Sequence, residues 1–257
     1  MKTTPFLALM IVLLTASSAS CAQTHIANDK FEVGDFTAIE ASVVGNVEIT
    51  QSNTTSVTAD GSEEMLDLLD VRMDGDKLIL DMEERHWKRF KKNANKLTIH
   101  ITTPTLTRIE FEGVGNIRIN DTFTTSELLI SSTGVGNFTA LGLDCDFVKV
   151  VSEGVGNTLI GGKTDRLEID SEGVGNVEAD KLIARESIVS SEGVGNVSCY
   201  ASEYLKVRSQ GIGNVRYYGK PKETDLSKDG IGNRVGRGIT PPPSHTTVHA
   251  FAHGGFF

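Results

Sequence analysis

The sequence is poor in several features that identify or stabilise common folds. Among 257 residues it has one tryptophan, three cysteines and six prolines, and 39% of its residues are apolar. This apolar content is low for a compact globule but sufficient for the thin core of a solenoid. The formal net charge of -9 disfavours a general attraction to nucleic acid or to an anionic membrane.

The sequence also lacks an apolar run long enough to span a bilayer. Its one apolar run near the start, residues 6–14, follows Lys2 and precedes small residues, which is the order of a secretory signal. We predict a signal peptide over residues 1–22 that is cleaved after Ala22. Cleavage before Cys21, with lipidation of that cysteine, is an alternative that the residues leave open.

What the sequence has is a repeat, Gly-Val/Ile-Gly-Asn, in seven copies spaced 18–21 residues apart. The repeated positions are Gly113, Gly115, Asn116; Gly134, Gly136, Asn137; Gly154, Gly156, Asn157; Gly173, Gly175, Asn176; Gly193, Gly195, Asn196; Gly211, Gly213, Asn214; and Gly230, Gly232, Asn233. A partial copy, Val44-Gly45-Asn46, lies upstream. Repeats of this length indicate stacked structural units.

Alternating apolar and polar residues flank each corner, as in residues 147–152 before one copy and 177–179 after another. This period of two is typical of strands with one buried face. We therefore predict an all-β fold, a right-handed parallel β-helix with two short strands and two turns in each unit. Two of the predicted turns lie at residues 161–163 and 180–181.

The glycines suit a tight corner that recurs on every turn of the helix. At Gly175, a side chain is expected to cost about 1–2 kcal/mol if the residue is left-handed. The asparagines are expected to stack and to bond corner backbone groups, so that Asn176→Leu lowers thermal stability.

The order changes before the first full repeat. Residues 36–49 resemble one more unit, and a hairpin is predicted around Asp74 and Gly75. We expect this part to cap the edge of the solenoid. The domain boundaries are then a linker at residues 23–34, the solenoid at 35–235, and a flexible tail rich in Pro, His and Gly at 236–257.

The repeat separates Cys145 from Cys199 by about three units. Parallel strands stack at about 4.8 Å, whereas a disulfide tolerates about 7 Å between Cα atoms. We predict two unpaired thiols, and a two-cysteine metal site is disfavoured for the same reason.

Two clusters are candidate binding sites. Glu153, Glu172 and Glu192 precede successive corners, and their stacked carboxylates invite a hard cation such as calcium. We nevertheless expect a solvated acidic stripe with no cofactor, and calcium binding is the alternative. The second cluster is basic and could bind an anionic glycan or lipid headgroups, or could be a solvated loop. Its members are Arg85, Trp87, Lys88, Arg89, Lys91 and Lys92.

No catalytic residues are predicted. A dinucleotide fingerprint needs a third glycine and a following helix, and the corners have neither. β-Helices can host polysaccharide lyases or hydrolases, but the repeats are too regular to single out one pair of catalytic groups.

The opening motif Phe36-x-x-Ile39-x-Ala41, the approach through Pro104 and the repeated corners resemble the auto-transporter adhesin, head GIN domain family, over about residues 36–233. The resemblance implies a right-handed parallel β-helix on an exported protein and offers no catalytic residues.

We therefore expect an exported, non-enzymatic envelope protein that binds a glycan or another surface component. A polysaccharide-active enzyme and a purely structural or protein-binding role are the alternatives. The location is the periplasm, outer membrane or cell surface, and self-association into a homo-oligomer is compatible with exposed solenoid ends.

Overall fold

The computed structural model describes residues 27–82, 97–229 and 234–237, and nearly all of their regular secondary structure is β-strand. The strands in chain order are β1 (Ala27–Phe31), β2 (Ala38–Ser42), β3 (Asn46–Gln51), β4 (Ser56–Gly61), β5 (Leu69–Asp74), β6 (Lys77–Met82), β7 (Leu97–Thr103), β8 (Arg108–Phe111), β9 (Ile117–Asn120), β10 (Phe123–Ser132), β11 (Phe138–Ser152), β12 (Thr158–Ser171), β13 (Val177–Ser191), β14 (Val197–Ala201), β15 (Tyr204–Ser209), β16 (Asn214–Gly219), β17 (Glu223–Lys228) and β18 (Arg234–Arg237). The single described helix, α1 (Glu63–Leu66), lies between β4 and β5. The predicted signal peptide, the basic segment 85–92 and residues 230–233 lie outside the described residues, as does nearly all of the predicted tail.

Most of the described strands stack in two parallel columns, one on each side of the glycine corners. The column that precedes the corners stacks in the order β6, β2, β8, β10, β11, β12, β13, β15 and β17. The column that follows them stacks as β7, β3, β9, β11, β12, β13, β14, β16 and β18. Successive turns of chain are therefore hydrogen-bonded neighbours, and the predicted β-solenoid is confirmed, with about six turns.

The core consists of columns of side chains that point into the solenoid from successive turns. One fully buried column contains Leu128, Val148, Leu167, Ser187 and Leu205. Burying one Leu or Val side chain contributes about 1.5–3 kcal/mol, so these columns are a principal source of stability. Ser187 is the polar member, and its hydroxyl donates a hydrogen bond to the backbone carbonyl of Tyr200 at 2.7 Å.

Full turns contain a third paired segment that the sequence did not reveal. Residues 143–145 of β11 pair with residues 123–125 of β10 and with 162–164 of β12. The predicted turns at 161–163 and 180–181 are wrong, because these residues lie inside β12 and β13. Register shifts in the β11–β12 and β12–β13 pairings show that the chain bends at bulges without leaving the ladder.

The N-terminal end of the solenoid is closed by strands that interrupt the parallel order. The extra unit predicted at residues 36–49 is confirmed, since β2 pairs with β8 and β3 pairs with β9. Beyond them, β6 forms the predicted hairpin with β5, in which Asp74 pairs with Lys77. In the other column β4 runs antiparallel to β7, and β1 runs antiparallel to β4.

Residues 27–31 belong to the sheet as β1, although they fall in the expected linker. Phe31 packs against the core, and the side-chain amide of Asn28 donates to the Asp60 carboxylate at 2.7 Å. The three middle residues of β1 are exposed, so the segment shows none of the apolar alternation that marks the other strands.

The C-terminal end differs. All six residues of β17 are exposed, and within the described residues no strand lies beyond β17 and β18. β18 runs two residues past 235, the predicted domain end. No helix in the described part of the chain is long and apolar enough to cross a membrane.

Candidate binding surface

The glycine corners stack directly along one edge of the solenoid. Their central residues form a continuous series of parallel bridges from Val44 through Val114 to Ile212. Hydrogen bonds run both ways between corners: the Gly115 N–H donates to the Val135 carbonyl at 2.9 Å, and the Val135 N–H donates to the Gly113 carbonyl at 2.9 Å. The backbone ladder therefore continues through the corner.

The second glycine of each corner has no space for a side chain. Gly175 has a φ of +152°, and a Cβ there would lie 1.6 Å from the carbonyl oxygen of Gly156. At the first glycine, Gly173, a Cβ would lie 2.2 Å from the carbonyl oxygen of Gly154. Glycine is required at both positions because the backbones of neighbouring turns are in direct contact. At the second glycine, the positive φ would add backbone strain for any other residue.

The corner asparagines form an amide ladder. Each side-chain Nδ2 donates to the Oδ1 of the asparagine one turn nearer the N-terminal end. The distances for Asn116, Asn137, Asn157, Asn176, Asn196 and Asn214 are 3.0, 2.9, 3.2, 3.0, 3.1 and 3.2 Å. The same Oδ1 also accepts the backbone N–H of the next asparagine, as from Asn176 to Asn157 at 3.2 Å. Each amide has a second N–H that the ladder does not use.

The central residues of the corners point outward and form what we call the valine ridge. Its members are Val114, Val135, Val155, Val174, Val194 and Ile212, and each is 41–57% exposed. Five steps of about 4.8 Å give the ridge a length of about 24 Å. Every other repeated apolar position beside the corners faces the core, so the ridge is the place where the repeat presents apolar side chains to solvent.

An acidic column lies beside the ridge. Glu153, Glu172 and Glu192 are exposed on successive turns and make no ion pair with any described residue. Among the described residues, no group of three or more His, Cys, Asp or Glu side chains is arranged to hold a metal ion. The ridge thus has carboxylates along one side and amides along the other.

The structure places the predicted corner residues from Gly113 to Asn214 together on this edge, with the partial copy Gly45-Asn46 stacked beneath them. The candidate basic cluster and Gly230, Gly232 and Asn233 lie outside the described residues, as does Cys21. Sequence reasoning treated the corners as structural only and missed the ridge. The available signal was the central residue, which is always Val or Ile although it stands in a turn.

The two described cysteines are both buried and free, as predicted. Burial raises the pKa of the Cys145 thiol to about 11 and that of Cys199 to about 12. Both thiols are therefore protonated near neutral pH, which makes them poor nucleophiles and poor metal ligands.

A family model described as "Putative auto-transporter adhesin, head GIN domain" matches residues 35–221. The match spans the whole described corner stack, from Asn46 to Asn214. The chain belongs to the head GIN domain family. No curated protein matches the chain.

Solved structures share the head GIN domain fold. A "putative adhesin" from Bacteroides fragilis is 34% identical, with a TM-score of 0.79, and the match covers 84% of this chain and 98% of that chain. A "putative lipid binding protein" from Parabacteroides distasonis is 18% identical, with a TM-score of 0.63, and covers 82% of this chain and 96% of its own. A "putative adhesin" from Parabacteroides merdae is 17% identical, with a TM-score of 0.58, and covers 82% and 95%. At these lower identities the likeness concerns the fold alone.

Proposed function

We propose that the protein is an exported, adhesin-like binding protein that holds a glycan chain along the valine ridge without cleaving it. Membership of the head GIN domain family and the likeness to a Bacteroides fragilis protein described as an adhesin support this proposal. The sequence adds the features of a secretory signal in residues 1–22.

The valine ridge is the observation that carries the proposal. Six aligned β-branched side chains are left about half-exposed along this row. Contiguous exposed apolar surface is uncommon on proteins and marks interaction sites. The backbone ladder fixes the spacing of the row before binding. Ordering these side chains therefore costs a complex little entropy.

The neighbours of the ridge suit a sugar polymer. Valine methyl groups can pack on the C–H face of a sugar ring, while the unused asparagine N–H groups and the glutamate carboxylates can bond its hydroxyls. The partner must extend along the ridge, since its contacts repeat on every turn. The three unpaired glutamates and the net charge of -9 favour a neutral chain over a polyanion.

The test is retention of soluble and insoluble bacterial and host polysaccharides by the purified protein, with the polymer length measured before and after. We expect a neutral polysaccharide to be retained intact. Replacing Val155, Val174 and Val194 together by threonine keeps the β-branched shape but exchanges three methyl groups of the ridge for hydroxyls. We expect this triple variant to weaken retention about tenfold or more.

The control is Ile183→Thr, which replaces the ethyl group of an exposed β-branched residue away from the ridge, 38% exposed, by a hydroxyl. It should retain polysaccharide as the wild type does. Shortened polymer would instead make the protein an enzyme. Retention unaffected by the triple variant would remove the ridge from the site, and no retention on the whole panel would favour a structural or protein-binding role.

A further inference from the structure

A groove opens on a different part of the solenoid from the valine ridge. It lies at the bend between the segment that follows the glycine corners and the third paired segment, and its volume is about 810 Å³. Ligand sites of this size are common, since pockets for small molecules typically measure about 300–1,000 Å³. We call it the bend groove, and its lining includes Arg118, Asn120, Asp121, Thr139, Leu141 and Lys163.

Two glycines that line the groove pack directly against the backbone of the preceding turn. A Cβ at Gly142 would lie 2.3 Å from the backbone oxygen of Asp121, and a Cβ at Gly162 would lie 2.0 Å from that of Leu143. Gly162 also has a φ of +123°. Neither position can accept a side chain unless the turns move apart, so the close packing of the turns at the bend depends on glycine at both positions.

The groove offers both signs of charge without a strong excess of either. Arg118 and Asp121 are exposed and make no ion pair with any described residue. Lys163 is paired with Asp144, with 3.0 Å between Nζ and the carboxylate oxygen. The Asn120 amide is oriented by a long hydrogen bond of 3.5 Å to the hydroxyl of Thr50.

Apolar surface lies beside these polar groups. Leu141 is 49% exposed and forms one wall, next to the hydroxyl of Thr139. The groove thus combines a guanidinium that donates hydrogen bonds, a carboxylate that accepts them and an amide that does both. Together with the apolar wall, these groups match the hydroxyls and the C–H face of a sugar ring. The charges of Arg118 and Asp121 offset each other, so the groove gives an anionic ligand no general electrostatic advantage over a neutral one.

We propose that the bend groove binds one or two residues of a neutral saccharide, with Arg118 and Asp121 bonding its hydroxyls and Leu141 packing on the ring. The proposal rests on the function proposed above, because it supplies the glycan with a discrete second contact on a rigid surface. The ridge holds the length of a chain, whereas the bend groove holds a short branch or end.

The test is saturation-transfer NMR on the full chain with glucose, galactose, mannose, N-acetylglucosamine, cellobiose, lactose and galacturonic acid, followed by titration of any saccharide that binds. Two variants alter the groove: Arg118→Ala removes the unpaired cation, and Thr139→Trp fills the space. The control is Arg216→Ala, since Arg216 is exposed in the same column of strand positions about 24 Å away.

We expect at least one neutral saccharide to bind, and both groove variants to weaken it about tenfold or more, as loss of bonds from a charged donor implies. Arg216→Ala should bind as the wild type does. The proposal is overturned if no neutral saccharide binds, if galacturonic acid binds more tightly than all of them, if either groove variant binds normally, or if the control is equally weakened.

These outcomes separate the two proposals. Polysaccharide retention that depends on the valine ridge, together with no effect of Arg118→Ala, would remove the bend groove while leaving the proposed function in place. Saccharide binding in the groove without any retention of polysaccharide would do the reverse.

Discussion

The two ends of the solenoid are built differently. At the N-terminal end, the hairpin β5–β6 and the strands β1, β4 and β7 lie over the first turn, and core residues such as Leu80 and Ile99 are 0% exposed. At the C-terminal end, every residue of β17 is exposed, including Leu226 at 43%. A middle turn has neighbours on both sides, whereas an end turn has one, so in a solenoid stability depends on position in the stack as much as on residue type.

The middle of the stack should be the most sensitive to substitution, because a glycine there has backbone on both sides. Gly175→Ala should destabilise the protein by about 3 kcal/mol or more, or prevent folding, because its Cβ would meet the Gly156 carbonyl oxygen at 1.6 Å. This exceeds the 1–2 kcal/mol that backbone conformation alone suggests. The measurement is urea unfolding followed by circular dichroism.

Gly34→Ala is the control for that experiment, since a Cβ at Gly34 would have nothing within 4 Å and the residue has no positive φ. It should change the free energy of unfolding by less than about 0.5 kcal/mol. An equally small change in the free energy of unfolding at both positions would show that the turns can separate to admit a methyl group.

The ends themselves are compared by shortening one leucine at each. Leu80→Ala, in β6, should cost about 2–5 kcal/mol because it leaves a cavity under the hairpin. Leu226→Ala, in β17, should cost less than about 0.5 kcal/mol. Thermal unfolding of both variants measures the difference, and a large loss at Leu226 would mean that the C-terminal end is covered in solution.

The relative alkylation rates of the two cysteines measure how far local opening spreads from the C-terminal end of the solenoid. Cys199 lies nearer that end than Cys145 and is 0% exposed, against 5% for Cys145. Both pKa values are raised by burial, to about 12 and about 11, so at pH 8 neither native thiol is ionised and alkylation requires local opening.

If the end turns open before the middle, Cys199 is alkylated faster than Cys145 despite its deeper burial. Mass spectrometry of partially alkylated protein gives the order. Faster labelling of Cys145 would mean that exposure in the native state, and not position in the stack, controls access.

The smallest effect concerns the acidic column. We expect millimolar calcium to leave the melting temperature unchanged within error, because the described carboxylates form no cluster of three able to hold a cation. Magnesium at the same concentration controls for ionic strength. A rise with calcium alone would show that Glu153, Glu172 and Glu192 converge on an ion.

The sequence predicted the solenoid because the repeat and the alternation are local signals that every turn shares. It predicted the first turn and the hairpin for the same reason, since residues 36–49 and Asp74-Gly75 carry those signals. It did not predict β1, whose exposed middle residues have no periodicity and whose place is set by antiparallel pairing with β4.

The third paired segment was missed because its turns contain residues that usually end strands. Gly161 and Gly162 favour a turn locally, but neighbouring turns of the solenoid supply hydrogen-bond partners that keep these residues in β12. Both candidate sites have the same origin. The valine ridge and the bend groove arise from the stacking of turns, and a single unit of sequence shows neither.

The glycine corners have one more consequence. Because backbone hydrogen bonds set the distance between turns, the pitch of the valine ridge is independent of which side chain occupies the position between the two glycines. Mutation can therefore change the side chains along this edge while the distance between them stays fixed. Substitutions can change the chemistry of this surface one turn at a time, and duplication of a unit can lengthen it, without altering the core.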